Sequence, residues 1–287
     1  MLHPILASDS LSYPEDGRWS VATGWQDQWP TSWKHASAKK QEVVGEWTLY
    51  YGAIQLEGGE LLLRDAERMR PDGLMELRRR WTWTGDKPLK KVTLSIRTQW
   101  SAQATRPFMP GISYYDNPAG QTVDATRIPV IGTQPGAKGF YEEHRFPMPF
   151  VCVEGKEPGG DANAPFASVA LHSIPSPIQY GNRPDQWWSM GLERIDENLV
   201  ELAVYSGAVA SNGQNGIIKG FKKHFLPYTD AWSDLEPGAI VEKTVFLQQP
   251  VAVKYGAGFR PAIEDSLALF DMKSTDGYTP YLSLIHI

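Results

Sequence analysis

The sequence predicts an all-β protein: a large antiparallel β-supersandwich with a C-terminal linker helix. Three observations carry that prediction. Segments of period-two alternation recur along most of the chain, turn residues divide them, and helical spacing is confined to one stretch near the end. With 26 glycines and 22 prolines the chain has turn formers enough for many short strands, which is the pattern of a sandwich and not of a bundle. No fixed-period repeat points to a propeller.

Taken in order, residues 47–56 read as a strand ended by Gly58 and Gly59, and residues 60–64 begin another. Residues 74–84 follow the turn Pro71, Asp72, Gly73. Successive strand side chains point to opposite sides, so Leu77, Arg79, Trp81 and Trp83 share one face and Arg78, Arg80 and Thr82 the other. In residues 91–100 Val92, Leu94 and Ile96 face inward, while Thr93, Ser95, Arg97 and Gln99 face away. Later strands are expected at 166–173, 188–195, 199–205 and 240–248, with turns at Glu197-Asn198 and Glu236-Pro237-Gly238 between them.

Two stretches depart from this pattern. Residues 101–149 are rich in Pro, Gly, Tyr and Asn and read as one long connection, a length that is uncommon without a function. In 259–272, Phe259, Ile263, Leu267 and Phe270 recur at helical spacing behind Gly256 and Gly258. A single helix ending an all-β chain has little to pack against, so a following domain is expected. The last six residues, Leu282 to Ile287, form an apolar ending without turn or cap and resemble translated sequencing adapter, which predicts that the coding sequence diverges near Tyr281.

Composition excludes several function classes. The net charge is −5 and the basic runs are short (Arg78 to Arg80, Lys90-Lys91, Lys222-Lys223), which leaves no electrostatic footprint for nucleic acid. The one cysteine, Cys152, rules out an internal disulfide and lies in an apolar run where a buried structural thiol is expected. The first ten residues lack a signal peptide's basic start and apolar core, and no run approaches the roughly 18 apolar residues of a membrane span. A cytoplasmic protein without a membrane partner is expected. The six histidines lack metal-ligand spacing. With no phosphate-cradling loop and no Gly-x-Ser-x-Gly elbow either, neither metal nor cofactor is expected. The informative excess is aromatic: 11 Trp, 12 Tyr and 10 Phe. Flat apolar rings with a polar edge suit sugars, whose C–H faces stack while their hydroxyls hydrogen-bond. The alternative use of the same rings is core packing.

Four segments carry a resemblance to a known family: 106–117 (Arg-Pro-Phe-Met-Pro-Gly-Ile-Ser-Tyr-Tyr-Asp-Asn), 141–149 (Tyr-Glu-Glu-His-Arg-Phe-Pro-Met-Pro), 234–238 ahead of the strand at 240–248, and 256–259 with its helix. In these the chain resembles the N-terminal, galactose-mutarotase-like β-supersandwich of six-hairpin glycosidases, in which an (α/α) barrel follows. The resemblance implies a sandwich over 1–255, a linker helix over 256–281 leading into a missing C-terminal barrel of the same chain, and a carbohydrate partner. It also implies that the catalytic carboxylates lie in the barrel, so no residue of this chain is expected to be catalytic.

The substrate-binding candidates are Phe108, Tyr114, Tyr115, Asp116, Asn117, His144, Arg145 and Trp187. The loop 108–117 combines stacking faces with hydrogen-bonding groups around Gly111; its alternative is a stiff closing loop. Glu142, Glu143, His144 and Arg145 form the densest titratable cluster. A glycosidase needs two carboxylates flanking one bond, but neighbouring strand residues point to opposite faces, so an ion-paired strand start is expected instead. Trp187-Trp188 offers one outward stacking ring and one inward ring by alternation; the alternative, and the favoured expectation, is that both serve the core. The leading function is the non-catalytic sandwich of a glycoside hydrolase that lends a loop to the sugar site. The alternatives are a stand-alone mutarotase-like epimerase, with His144 or His172 and a carboxylate as acid and base, and a carbohydrate-binding module.

Overall fold

The computed structural model describes residues 11–26, 29–115, 131–158, 163–182, 186–207, 210–211 and 231–270. The first half contributes β1 (Leu11–Ser12), β2 (Trp19–Gln26), β3 (Trp29–Ala36), β4 (Lys40–Val44), β5 (Trp47–Leu56), β6 (Gly59–Met69), β7 (Leu74–Trp83), β8 (Leu89–Ser101), β9 (Gln103–Met109) and β10 (Ser113–Tyr114). The second contributes β11 (Lys138–Glu142), β12 (Phe150–Lys156), β13 (Phe166–Ser173), β14 (Ser189–Arg194), β15 (Leu199–Tyr205), β16 (Ala210–Ser211), β17 (Ser233–Leu235), β18 (Ile240–Val253) and helix α1 (Phe259–Leu269).

These strands form two antiparallel nine-stranded sheets. Sheet I runs β10-β9-β12-β13-β18-β7-β6-β5-β4; sheet II runs β16-β11-β14-β15-β8-β2-β3, with β1 and β17 also paired to β8. Local hairpins build the β4–β7 half of sheet I. The turn before β6 uses Gly58 at φ 84°, and the turn before β7 uses Gly73 at φ 89° with Asp72 Oδ1 accepting the Leu74 N–H at 3.2 Å. Only glycine takes such φ values without strain.

The alternation fixes which face is buried. Leu77, Trp81 and Trp83 of β7 face Leu94, Ile96 and Trp100 of β8 across one continuous core. Trp81 stacks on Trp188 at 5.7 Å, bridging the layers. A ring of this size buried from water contributes on the order of 4–6 kcal/mol. Trp81 Nε1 has no hydrogen-bond partner, which costs about 1–3 kcal/mol; burial wins.

Arg79 shares the inward face of β7, as its alternation requires. It donates to Asp65 from Nε and Nη2, both at 2.7 Å, and to the Ser95 carbonyl at 2.9 Å. Lys243 on β18 is another buried cation, 2.6 Å from Glu143. Burial is the first cause acting on both, pushing the Glu143 carboxyl up and the Lys243 ammonium down.

Two expectations are corrected here. Residues 101–149 do not form one long connection, because β9 pairs with β12 and β11 pairs with β14 inside that stretch. Nor does the helix lack a surface within the chain: α1 lies on the outer face of sheet I against β12 and β13. Its seated residues are Phe259, Ala262, Ile263 and Ser266, one helical stripe, whereas Leu267 is 40% exposed. Small residues win at the centre of the stripe because Phe150 and His172 already project from the sheet. The expected 271–287 segment lies outside the described residues. Among the described residues no helix is long and apolar enough to cross a membrane, which says nothing of a β-barrel.

Candidate functional site

The candidate residues fall into two adjoining groups. The first is the β9–β10 loop. Phe108 is 8% exposed, its ring stacked on Phe259 at 4.9 Å and on Phe150 at 6.0 Å. Tyr115 packs edge-on against Phe108 and Phe259 and donates its hydroxyl to Glu154 Oε2 at 3.3 Å. Glu154 is fully buried and also accepts the N–H groups of Gly256 (2.9 Å) and Gly258 (2.7 Å), while Arg106 lies between the rings of Tyr115 and Tyr255. These contacts seat the start of α1 on sheet I. Tyr114, 52% exposed, is the outward ring of this group. Asp116 and Asn117 lie outside the described residues.

The second group gathers around Glu142. Residue 142 ends β11 and Glu143 opens the short turn Glu143–Arg145, so the adjacent carboxylates diverge. Glu143 enters the core to meet Lys243. Glu142 turns to the outer side of sheet II and accepts from Arg145 Nε at 2.8 Å, with His144 Nε2 3.9 Å away. The His144 ring lies 4.8 Å from the Trp187 ring. Trp187 is half-buried while Trp188 is in the core, the division that strand alternation predicts. Gly111 links the two groups: at φ 75° it packs where an added Cβ would fall 2.9 Å from Pro147, so the loop and the turn abut.

Sequence reasoning missed a third cluster on the same side of sheet II. Register aligns Glu142 with Ser189, Tyr205 and Ser95, and four residues along aligns Lys138 with Glu193, Glu201 and Gln99. Glu201, fully buried, accepts from Arg97 Nε (2.7 Å), Gln99 Nε2 (3.1 Å) and the Tyr205 hydroxyl (3.3 Å). Burial pushes the Tyr205 hydroxyl well above its usual value, so it stays a donor. Trp33 covers this set, 4.2 Å from the Arg97 guanidinium and 5.5 Å from Tyr205; Trp29 covers Lys138 and Phe140 at 4.7 and 6.0 Å. Strands β3 and β11 are five spacings apart in the sheet order, about 24 Å if flat. Ring contact between them therefore requires sheet II to be concave on this side. The available signal was the alternation already read: polar residues at 93, 95, 97 and 99 on a strand whose other face is core.

His172 lies elsewhere. It is fully buried under α1, 3.1 Å from Ser266 Oγ, and burial lowers it to about 3. It has no carboxylate beside it among the described residues, which removes it as one half of an acid–base pair. The Cys152 thiol donates to the Gly258 carbonyl at 3.3 Å, and burial pushes it up, away from thiolate chemistry. Among the described residues no group of His, Cys, Asp and Glu could hold a metal ion.

No family model matches the chain, and no curated protein matches it in sequence. Among solved structures it is similar to one described as a "putative aldose 1-epimerase" from Escherichia coli K12, at a TM-score of 0.42 and 9% identity, over 74% of this chain and 67% of that one.

Proposed function

We propose that the chain is a carbohydrate-handling sandwich that takes a saccharide where Glu142, His144, Arg145 and Trp187 converge on the outer side of sheet II, as the sugar-facing portion of a glycoside hydrolase. The observation that carries this reading is the composition of that cluster: a half-buried Trp ring in contact with an exposed His, beside an Arg held on a carboxylate that is only 2% exposed. A stacking face with fixed donors and an acceptor at its edge is the equipment that a pyranose needs.

The test is binding of neutral oligosaccharides by glycan array followed by calorimetry. Trp187→Ala is expected to weaken a detected ligand about tenfold. An array without hits, or a hit unaffected by Trp187→Ala, overturns the reading.

A second reading is favoured by one distance. His144 Nε2 lies 3.9 Å from Glu142 Oε2, and an exposed histidine beside a carboxylate could shuttle the proton between ring oxygen and anomeric hydroxyl in mutarotation. Anomer exchange followed by NMR decides it: a rate no faster than the uncatalysed one excludes epimerase activity.

A further inference from the structure

The opposite side of the sandwich carries a second recess. Over β6, β7 and β18 the outer face of sheet I holds an open groove of about 480 Å³, where Arg64, Arg78 and Arg80 share the lining with two carboxylates, Glu76 and Glu242. Register puts Arg64 directly opposite Arg80, so two guanidinium groups leave one face at one cross-strand position. Like charges so placed repel. Neighbouring cations are committed elsewhere: Arg79 points into the core to Asp65, and Lys243 to Glu143. Arg78 is paired with Glu76 at 2.6 Å, and Arg80 has a long 3.7 Å contact with Glu242, whose carboxylate is 64% exposed. Arg64 is exposed and has no salt-bridge partner among the described residues. In a chain of net charge −5, this is a local excess of cation that an anion would relieve.

We infer that this groove binds an anionic saccharide through the carboxylate of a uronic-acid unit. The inference rests on the carbohydrate reading above and extends it to a second, separate surface. Guanidinium forks match a carboxylate's two oxygens with paired N–H donors, which an ammonium cannot do. The 46%-exposed Ile174 supplies apolar surface in the same groove for the C–H side of a pyranose. The volume lies within the range of small-ligand pockets, with room for one or two sugar rings.

Calorimetry on the full chain tests this with three probes: trigalacturonate, its neutral counterpart galactotriose, and inorganic sulfate. Trigalacturonate is expected to bind, more weakly as salt rises, and Arg64→Gln and Arg80→Gln are each expected to weaken it at least about tenfold. Arg64→Gln should leave Tm unchanged or raise it, because it removes a repulsion, whereas a merely structural arginine would lower it. Trp187→Ala should leave trigalacturonate binding intact. The inference is overturned if trigalacturonate does not bind, if the arginine variants bind it as the parent does, or if sulfate binds as tightly as the saccharide. Loss of neutral-sugar binding in Trp187→Ala with trigalacturonate retained separates the two surfaces. Failure of the neutral array alone counts against the sheet II site and not against the groove.

Discussion

His144 and His172 have the same side chain and sit in opposite surroundings. His172 projects from β13 on a face that α1 covers; its Nδ1 meets Ser266 Oγ, its Nε2 is buried without a partner, and its nearest ring is Phe150 at 5.4 Å. His144 stands on a turn at the rim of sheet II, its side chain 40% exposed, beside a carboxylate and an indole. The difference teaches where chemistry can occur in this fold. A face sealed by a helix holds an imidazole neutral and inert. A face left open leaves an imidazole beside a carboxylate and an indole where a ligand can reach it.

The largest effect that would sharpen the contrast is on the sealed face. Ala262→Asp buries an uncompensated carboxylate between α1 and sheet I, and is expected to cost on the order of 3 kcal/mol or more. Urea denaturation measures it, and a change below about 1 kcal/mol would mean that α1 is not held as described.

Next comes the pH dependence of His172. Its folded value, lowered by burial to about 3, lies below the unfolded value of about 6.5. The unfolded chain therefore takes up the proton first as pH falls. The stability contributed by the neutral ring is complete above about pH 6.5 and is lost progressively down to about pH 3, reaching roughly 2 kcal/mol at pH 5. His172→Gln should flatten the stability–pH curve between those limits relative to the parent; parallel curves would refute the assignment.

Smaller still is the rim. Trp187→Ala is expected to weaken saccharide binding by about 1.4 kcal/mol. Arg145→Gln takes the cation from the 2%-exposed Glu142 carboxylate and should cost on the order of 1–2 kcal/mol of stability while weakening the same ligand. If Arg145→Gln unfolds the chain, the rim is structural and the contrast between the two faces fails.

Much of the fold was legible because alternation is a local property. The strands expected at 47–56, 166–173 and 199–205 match β5, β13 and β15 to the residue. The inward set Val92, Leu94, Ile96 is buried, as is Arg79 among the aromatics of β7. Residues 101–149 were misjudged because β9 and β11 are short and earn their place from partners far along the chain, β12 and β14, which no local pattern encodes. The face of α1 was displaced for a similar reason. The bulky residues Leu267 and Phe270 suggested the contact stripe, yet the rings already standing on β12 left space only for Ala262 and Ser266 at its centre.

The candidate site shows the same division. The sequence by itself determined that Glu142 and Glu143 diverge, because side-chain direction follows from backbone period alone; for Trp187 and Trp188 it offered the split only beside a favoured core reading, and the structure leaves Trp187 half-buried. The sequence likewise determined that Arg97 and Gln99 share the non-core face of β8. Only the tertiary structure decided that Glu201, more than a hundred residues later, would be their acceptor, and that Trp33 would fold over them. It also decided which histidine would be sealed and which exposed. The physical reason is that register between distant strands, sheet curvature and the seating of a helix are outcomes of packing many segments at once. Period and turn chemistry act within a few residues and carry no information about which distant partner will arrive.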